Sequence, residues 1–346
     1  DPSLLRYWTS LYFLTRHGII SSRTSFVKLF INGAYRGVYL NVEHIDDEFL
    51  QKRFIDDDQG NLYKASWGAD LNYWGANASS YTDVYELKTN KDSNDYGAFI
   101  SFLDSLNNLS DDDFPCYMER NFEVNHYLKT LAAEIIIGHW DGHAYNKNNF
   151  YLYRQPSSGK FVFIEYDLDN TFGIDWFSID WANRDLNEWH ETNRPLVERL
   201  LEIPYYKDVF NAYLDTLLTD LDTSNWYSLL ETQQNLIKSA VQSDTYYRKD
   251  YGFQFSDFLD ALDNSYGAHV KKGLAEYLDE RITSGLNQFN WIGNLEPPCD
   301  ELPVEPERRI IKIVDFIGRE TQFRTDIPLI IMYNDGSVEK TMMWGN

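Results

Sequence analysis

Cysteine is scarce in this chain of 346 residues, which contains only Cys116 and Cys299. No C-x-x-C pair exists, so a zinc finger is excluded. The two cysteines could form one disulfide, a question that the sequence leaves open. With 43% hydrophobic residues, the chain is long and apolar enough to bury a large core in one or two domains.

Long apolar runs are also missing. No stretch of about 18 apolar residues occurs, so the sequence predicts no membrane-spanning helix. No signal peptide is recognisable. Because the first residue is Asp1 rather than methionine, we expect a mature or trimmed fragment that has lost a secretion signal or another leading segment.

Positive charge is in short supply. The chain has 31 Lys and Arg against 54 Asp and Glu, which gives a formal net charge of −23. Such a field repels nucleic acid, which is excluded as the main partner. Solubility accounts for the acidity most simply. The motifs G-x-S-x-G, H-E-x-x-H and G-x4-G-K-[ST] are absent, so serine hydrolases, zinc proteases and P-loop enzymes lack support.

Strand signals concentrate early in the chain. Apolar side chains at helical spacing, with Pro2 at the first turn and Gly18 at the exit, predict a helix over 2–17. Asn32-Gly33 separates two strand-like runs and predicts a hairpin over 25–43. The other early elements predicted are a helix at 44–54, strands at 61–66 and 84–88, and helices at 96–109 and 123–138.

Helix signals dominate the later part of the chain, at 194–219, 224–242 and 254–288. The Pro-rich acidic residues 296–307 predict a linker, and residues 308–346 predict a short C-terminal β segment. This order predicts an α+β fold with two lobes in residues 1–295, a small mixed lobe and a larger, mainly helical one.

The stretch WDGHAYNKNNFYLYRQPSSGKFVFIEYDLDNTFG, residues 140–173, carries most of the recognisable chemistry. A loop with Asp141 and Asn146 precedes two predicted strands, and Asp167 and Asp169 follow the second strand. In phosphotransferase loops of this order, the first Asp accepts or orients the substrate hydroxyl, while the Asn and the later Asp bind Mg²⁺ that bridges nucleotide phosphates. Because Mg²⁺ prefers oxygen ligands, the pattern predicts a metal–phosphate site.

Simpler explanations exist for some of these residues. Asp141-Gly142 alone is an ordinary turn at a helix exit. His139 and His143 are expected to be structural, since Mg²⁺ avoids imidazole. The carboxylates of Asp141 and Asp167 could instead serve a glycosidase, but only the abundant aromatic residues hint at a sugar groove.

The chain resembles the spore-coat-protein-H family, the CotH kinases, from Asp1 to about Leu286. The matching stretches include FVKLFINGAYRGVYLNVEHIDDEFL, GNLYKA, HWDGHAYNKNNFYLY and YDLDNTFG, and the combination of NGAYRGVYLNVE with DLDNTFG is the specific one. The resemblance implies an atypical, secreted or surface protein kinase with a reduced, two-lobed kinase-like fold. Family members usually have further strands, with basic residues expected to contact phosphate, before the point where this sequence starts.

Carried over by position, the resemblance implies that Asp141 is the catalytic-loop aspartate and Asp167 the metal-binding aspartate of a DFG-like motif. The kinase spacing favours Asn146 as the metal-binding amide, whereas its place ahead of the aromatic strand favours Asn149, and the choice stays open. Asp169 is either a second metal ligand or a cap for the following turn.

The phosphate-binding lysine has two candidates, Lys64 and Lys88, each near a strand end. Glu43 ends its strand and is the best candidate for a glutamate paired with such a lysine. Solvated charges at strand ends are the alternative explanation for all three.

The expected function is an ATP- and Mg²⁺-dependent phosphotransferase, a secreted or cell-surface kinase that acts on Ser or Thr of protein substrates. The alternative is a catalytically silent CotH-like module used for surface attachment or structural assembly.

Overall fold

The computed structural model describes residues 1–221, 223–288, 310–315, 328–333 and 338–342. The described residues form a mixed α+β structure, as predicted. The chain divides into two compact units, Asp1–Pro298 and Cys299–Asn346. The boundary falls within the predicted linker, 296–307, which lies outside the described residues. In the described part, no helix is long and apolar enough to cross a membrane.

The first unit opens with helix α1 (Arg6–Arg16) and a two-stranded antiparallel sheet, β1 (Thr24–Ile31) and β2 (Ala34–Val42). The predicted hairpin is thus confirmed. Asn32 and Gly33 both have positive φ, 51° and 78°, as a two-residue turn between twisted strands requires.

A four-stranded antiparallel sheet forms the centre of the unit. Its strands are β3 (Leu62–Ala65), β4 (Tyr85–Leu87), β5 (Phe150–Arg154) and β6 (Phe161–Glu165), in the order β4-β3-β5-β6. Because side chains alternate between faces, the register places Lys64, Tyr151 and Ile164 on one face and Tyr63, Leu152 and Phe163 on the other.

Each face of this sheet is covered by helices. On the Lys64 face, helix α2 (Asp47–Arg53) packs its Phe49 and Leu50 into a cluster with residues of β3, β5 and β6. On the other face lie helices α3 (Gly97–Asn108) and α5 (Val124–Ile137), the latter reached through α4 (Phe114–Asn121). Tyr63 stacks on Phe99 of α3, with ring centroids 4.8 Å apart. The sheet is therefore buried on both sides, which fixes the strand ends where the predicted site residues begin.

The remaining described elements of this unit are helical. They are α6 (His143–Asn146), α7 (Pro195–Leu201), α8 (Pro204–Asp220), α9 (Thr223–Gln242), α10 (Tyr247–Tyr251), α11 (Phe255–Asp260) and α12 (Leu274–Gln288). In the second unit, β7 (Ile310–Asp315), β8 (Pro328–Tyr333) and β9 (Val338–Met342) pair antiparallel in that order.

The structure corrects several predicted helix bounds. The helix predicted at 2–17 begins only at Arg6, because the Asp1 carboxylate accepts the Ser3 N–H at 3.0 Å and Leu4 adopts a left-handed φ of 58°. The predicted helix at 194–219 is divided before Pro204. The one predicted at 254–288 is interrupted over 261–273, α4 and α10 were not predicted, and α6 lies where the sequence predicted a loop.

Candidate active site

The loop after α5 is shaped by left-handed residues. Gly138 ends helix α5 with φ 69°. Lys147 and Asn149, which lie shortly before β5, each have φ 57°. Left-handed backbone is uncommon for non-glycine residues and reverses the chain within a short distance. The short helix α6 lies between these reversals, so Asp141 is held close to the start of β5.

Asp141 is half-buried among asparagine side chains. Its carboxylate accepts hydrogen bonds from the amides of Asn149 at 3.1 Å, Asn170 at 3.4 Å and Asn148 at 3.5 Å, and from the amide of Asn146. Both predicted candidates for the metal-binding amide therefore contact Asp141, and the choice between them stays open. Asn148 and Asn170 were not among the predicted site residues.

Asp167 and Asp169 follow the end of β6, close to Asp141. Asp167 has a left-handed φ of 59°. Burial and the nearby Asp141 charge raise the pKa of Asp167, while the Lys64 ammonium acts to lower it. Desolvation by the surrounding protein, followed by the charges of Asp167 and Asp141, raises the pKa of Asp169 to about 6. The structure thus brings three predicted carboxylates into one electrostatically coupled group.

Lys64 is the candidate lysine that the structure places at this group. Its ammonium lies 4.8 Å from the ring centroid of Tyr166, the residue immediately before Asp167. Lys88 instead pairs with Glu86 at 3.1 Å. Sequence spacing alone could not separate these lysines, because both lie near a strand end on the same face of the sheet.

Glu43 lies in a different cluster. Its carboxylate pairs with Arg53 at 2.6 Å, with Arg23, and with Lys52 at 3.8 Å. These cations lower its pKa to about 2 against an opposing effect of desolvation, which is the largest single contribution. The expected ion pair between Glu43 and Lys64 or Lys88 is not formed in this structure, because arginines occupy the Glu43 carboxylate.

A buried acidic layer supports the Asp141 loop from behind. Glu134 accepts the Ala144 N–H at 2.9 Å, and Glu165 lies beside it. Burial raises the pKa of Glu134 to about 7, and burial with the Glu134 charge raises the pKa of Glu165 strongly. Burial lowers the pKa of His139 to about 3, and burial with the Arg194 charge lowers that of His143 well below its usual range.

Gly142 packs so closely against this buried layer that a side chain at position 142 would clash with it. A Cβ at position 142 would lie 2.5 Å from Glu134 Oε1 and 2.7 Å from His139 Cδ2, both in side chains that are fully buried.

We expect Gly142→Ala to lower the free energy of unfolding by about 1–3 kcal/mol through overpacking. Urea unfolding beside Gly97→Ala measures this. The nearest atom to a Cβ at Gly97 is the Asp95 carboxylate at 3.1 Å, on an exposed side chain that can move. Equal effects of the two substitutions would contradict the close packing.

Arg194 fastens the loop from the other side. Its buried guanidinium donates to the carbonyl of His143 at 2.9 Å, to the carbonyl of Tyr145, and to Thr192 and Asn193. The α6 carbonyls are thereby tied to a segment about 50 residues further along the chain. Nothing in the sequence around Arg194 indicates this role, which depends on a long-range contact.

The side chains that converge at this site carry carboxylate, amide and ammonium groups, and their net charge is negative. Asp141, Asp167 and Asp169 interact with one another, the Lys64 ammonium acts on Asp167, and four asparagine amides donate to Asp141. Within the described ranges, no three His, Cys, Asp or Glu side chains form a ready ligand set for a metal ion. Mg²⁺ at phosphotransfer sites typically takes only one or two carboxylates and completes its shell with phosphate oxygens and water. The arrangement is chemically suited to such shared coordination.

Comparison with known proteins identifies relatives of the chain. The family model described as CotH kinase protein matches residues 1–283. Invasin CotH2 of Rhizopus delemar is 28% identical over 320 residues, which cover 84% of this chain and 53% of that protein. Inner spore coat protein H of Bacillus subtilis is 26% identical over 282 residues, 72% of this chain and 75% of that protein. Invasin CotH3 of Rhizopus delemar is 22% identical, covering 84% and 52% respectively. The chain spans about half the length of the two Rhizopus relatives.

Proposed function

Because the chain belongs to the CotH kinase protein family, we propose that it is an ATP- and Mg²⁺-dependent kinase that phosphorylates Ser or Thr side chains of proteins. The observation that carries this proposal is the convergence of Asp141, Asp167 and Lys64 from three different elements. Residues with these charges, from a loop, a strand end and a neighbouring strand, are the parts that phosphoryl transfer requires.

The residues present fit a Mg²⁺ ion. Asp167 and Asp169 have raised pKa values because their carboxylates are desolvated and repel one another and Asp141. A divalent cation would relieve this repulsion, and carboxylate and amide oxygens are ligands it accepts. Asp167 would hold the metal, together with Asp169 and the amide oxygen of Asn146 or Asn149. When bound, Mg²⁺ neutralises charge that develops on the transferred phosphoryl group.

The chain's own side chains would do the positioning. Asp141 would accept a hydrogen bond from the substrate hydroxyl and orient it for attack. The asparagine amides that now donate to Asp141 hold its carboxylate in one orientation, which is the pre-organisation that such catalysis needs. Lys64 would move from the Tyr166 ring to the nucleotide phosphates, since a phosphate is a stronger partner for an ammonium than an aromatic face.

We also propose a two-lobed, kinase-like architecture and a location outside the cytoplasm. We assign the hairpin, the four-stranded sheet and α2 to the small lobe of a kinase-like fold, and the later helices, from α7 onward, to the larger lobe. An extracytoplasmic location is supported by relatives named for the spore coat and as invasins.

A catalytically silent module for surface attachment or assembly is the second candidate. It is favoured by Glu43, whose carboxylate pairs with arginines rather than with a phosphate-binding lysine. The names of the relatives also describe coat and invasion proteins rather than catalysts. A silent module has no need to bind nucleotide, so nucleotide binding separates the two candidates.

Thermal unfolding with and without ATP–Mg²⁺ tests the proposed function directly. Ligand at about 100 times its dissociation constant adds about 2.7 kcal/mol to the free energy of unfolding, which raises the Tm by several degrees. We expect this shift in the wild type and its loss in Asp167→Ala.

ATP with a metal chelator is the control for the metal. Asp112→Ala replaces an exposed aspartate just before α4 and is the matched control for Asp167→Ala. No shift at millimolar nucleotide would count against the kinase and for the silent module.

A further inference from the structure

We infer that helix α1 holds the segment 167–172 in its metal-binding conformation, and that Tyr7 and Ser10 are positioning residues for the reaction. The inference rests on the proposed function for its catalytic meaning. The contacts themselves are independent of it. They join a helix near the start of the chain to a segment more than 150 residues away.

The first contact is made to Asp167 itself. The Tyr7 hydroxyl accepts the backbone N–H of Asp167 at 3.1 Å, across 160 positions of the sequence. Tyr7 is half-buried, so the bond is partly shielded from water. By holding the backbone at Asp167, this bond sets the direction of the Cα–Cβ bond from which the carboxylate extends.

The second contact is fully buried. Ser10 Oγ lies 2.9 Å from Thr171 Oγ1, 3.2 Å from the Leu168 carbonyl and 3.0 Å from the Arg6 carbonyl of its own helix. Thr171 Oγ1 in turn donates to the Leu168 carbonyl at 3.0 Å. Ser10 and Thr171 are both completely inaccessible to solvent. The Ser10 hydroxyl thus contacts both ends of the turn that contains Asp169 and Asn170, which the Thr171 hydroxyl closes.

The third contact fixes the end of the segment. The Arg6 guanidinium donates through Nε to the Phe172 carbonyl at 3.2 Å and through Nη2 to the Lys272 carbonyl at 2.6 Å. Arg6 is 1% exposed. Positions 6, 7 and 10 project from neighbouring parts of one side of a helix, since residues four apart lie one above the other. All three contacts therefore come from a single surface of α1.

The segment has a reason to need this support. Asp167 and Phe172 have left-handed φ values of 59° and 48°, and Gly173 follows with 87°. Non-glycine residues in this region are strained and persist only where the surroundings impose the conformation. Without α1, Asp167 would lose the bond to its backbone N–H and relax toward ordinary backbone angles, whereas Phe172 keeps its N–H bond to the Ile137 carbonyl of α5 at 2.8 Å.

The opposite side of α1 contacts a different part of the unit. Trp8, next to Tyr7, lies against Phe26 of β1, with ring centroids 6.3 Å apart. The helix therefore couples the hairpin to the metal-binding segment. Its role differs from that of Asp141 and Lys64, because α1 touches neither nucleotide nor substrate in the proposed mechanism and acts only through residues 167–172.

Two isosteric substitutions with matched controls test the inference on the full chain. Tyr7→Phe removes only the hydroxyl that binds Asp167, and Tyr12→Phe removes the hydroxyl of another half-buried tyrosine on the same helix. Ser10→Ala removes the buried hydroxyl, and Thr9→Val removes one that bonds only the Leu5 carbonyl of its own turn. The readouts are the Mg²⁺ concentration at half of the ATP-dependent Tm shift and the hydrogen exchange of backbone amides in 167–173.

We expect Tyr7→Phe and Ser10→Ala each to raise the half-saturating Mg²⁺ concentration about tenfold, as loss of a residue supporting a metal ligand typically does. Amides of 167–173 should exchange faster in these two variants and remain unchanged in both controls. Unchanged Mg²⁺ requirement and unchanged local exchange, with only a lower Tm, would overturn the inference.

If the wild type binds no nucleotide, the proposed function fails, and the exchange data alone still decide whether α1 holds the segment. Faster exchange in Tyr7→Phe would then support the contact, and identical exchange would refute it.

Discussion

We expect Asp167→Asn to reduce phosphoryl transfer by about a hundred- to a thousandfold while leaving the fold intact or slightly more stable. The loss of activity follows from removing a charge aimed at the metal and phosphates, an effect of this size in other enzymes. The gain in stability follows from the electrostatics of the metal-free protein. Burial and Asp141 disfavour the Asp167 carboxylate, as its raised pKa shows, so a neutral amide of the same shape removes a repulsion.

Transfer of labelled γ-phosphate from ATP to a Ser- and Thr-rich acceptor protein measures the first effect, and thermal unfolding without metal measures the second. Asp141→Asn should lose activity in the same way. Asp112→Asn, which changes an exposed charge outside the site, is the control for net charge. Retained transfer in both site variants would refute the assignment of the two aspartates, and a large drop in Tm for Asp167→Asn would show that its role is structural.

We expect Arg194→Lys to lower the free energy of unfolding by about 2–4 kcal/mol and to impair activity with it. The guanidinium bonds carbonyls of His143 and Tyr145 and two further groups at once, and a single ammonium cannot reach all of them. Each buried carbonyl left without a partner costs about 1–3 kcal/mol. The loop that carries Asp141 should therefore lose its fixed position.

Urea unfolding measures the change, and Arg16→Lys is the matched control. Like Arg194, Arg16 forms hydrogen bonds through more than one nitrogen, in this case to the Asp220 carboxylate. Its side chain is 49% exposed, so we expect Arg16→Lys to lower the free energy of unfolding by less than about 1 kcal/mol. Similar costs for the two substitutions would show that burial of the Arg194 contacts contributes little.

The features that the sequence predicted well depend on neighbours in the chain. The hairpin follows from Asn32-Gly33, whose left-handed turn needs no distant partner. The pairing of the strands before Asp167 follows from two apolar runs joined by a short turn. Asp141 and the candidate amides of Asn146 and Asn149 lie within eight positions of one another, so the contacts of their side chains were foreseeable from spacing.

The features that it missed depend on contacts between distant positions. Asn170 approaches Asp141 across 29 positions, and Arg194 reaches His143 across 51. Glu43 was predicted to face a lysine because it ends a strand, but the direction of its side chain is set by Arg23 and Arg53, which arrive from outside the strand. No local propensity encodes such choices.

The contacts of α1 also bear on the order in which the chain folds. The contacts of Asp141 with Asn146, Asn148 and Asn149 span fewer than ten positions, whereas Tyr7 meets Asp167 across 160. Closing so large a loop costs conformational entropy before any stabilising contact has formed, so such contacts form late. During synthesis α1 leaves the ribosome before its partner segment exists. The site therefore becomes competent late in folding, when α1 meets a segment that is synthesised 160 positions later.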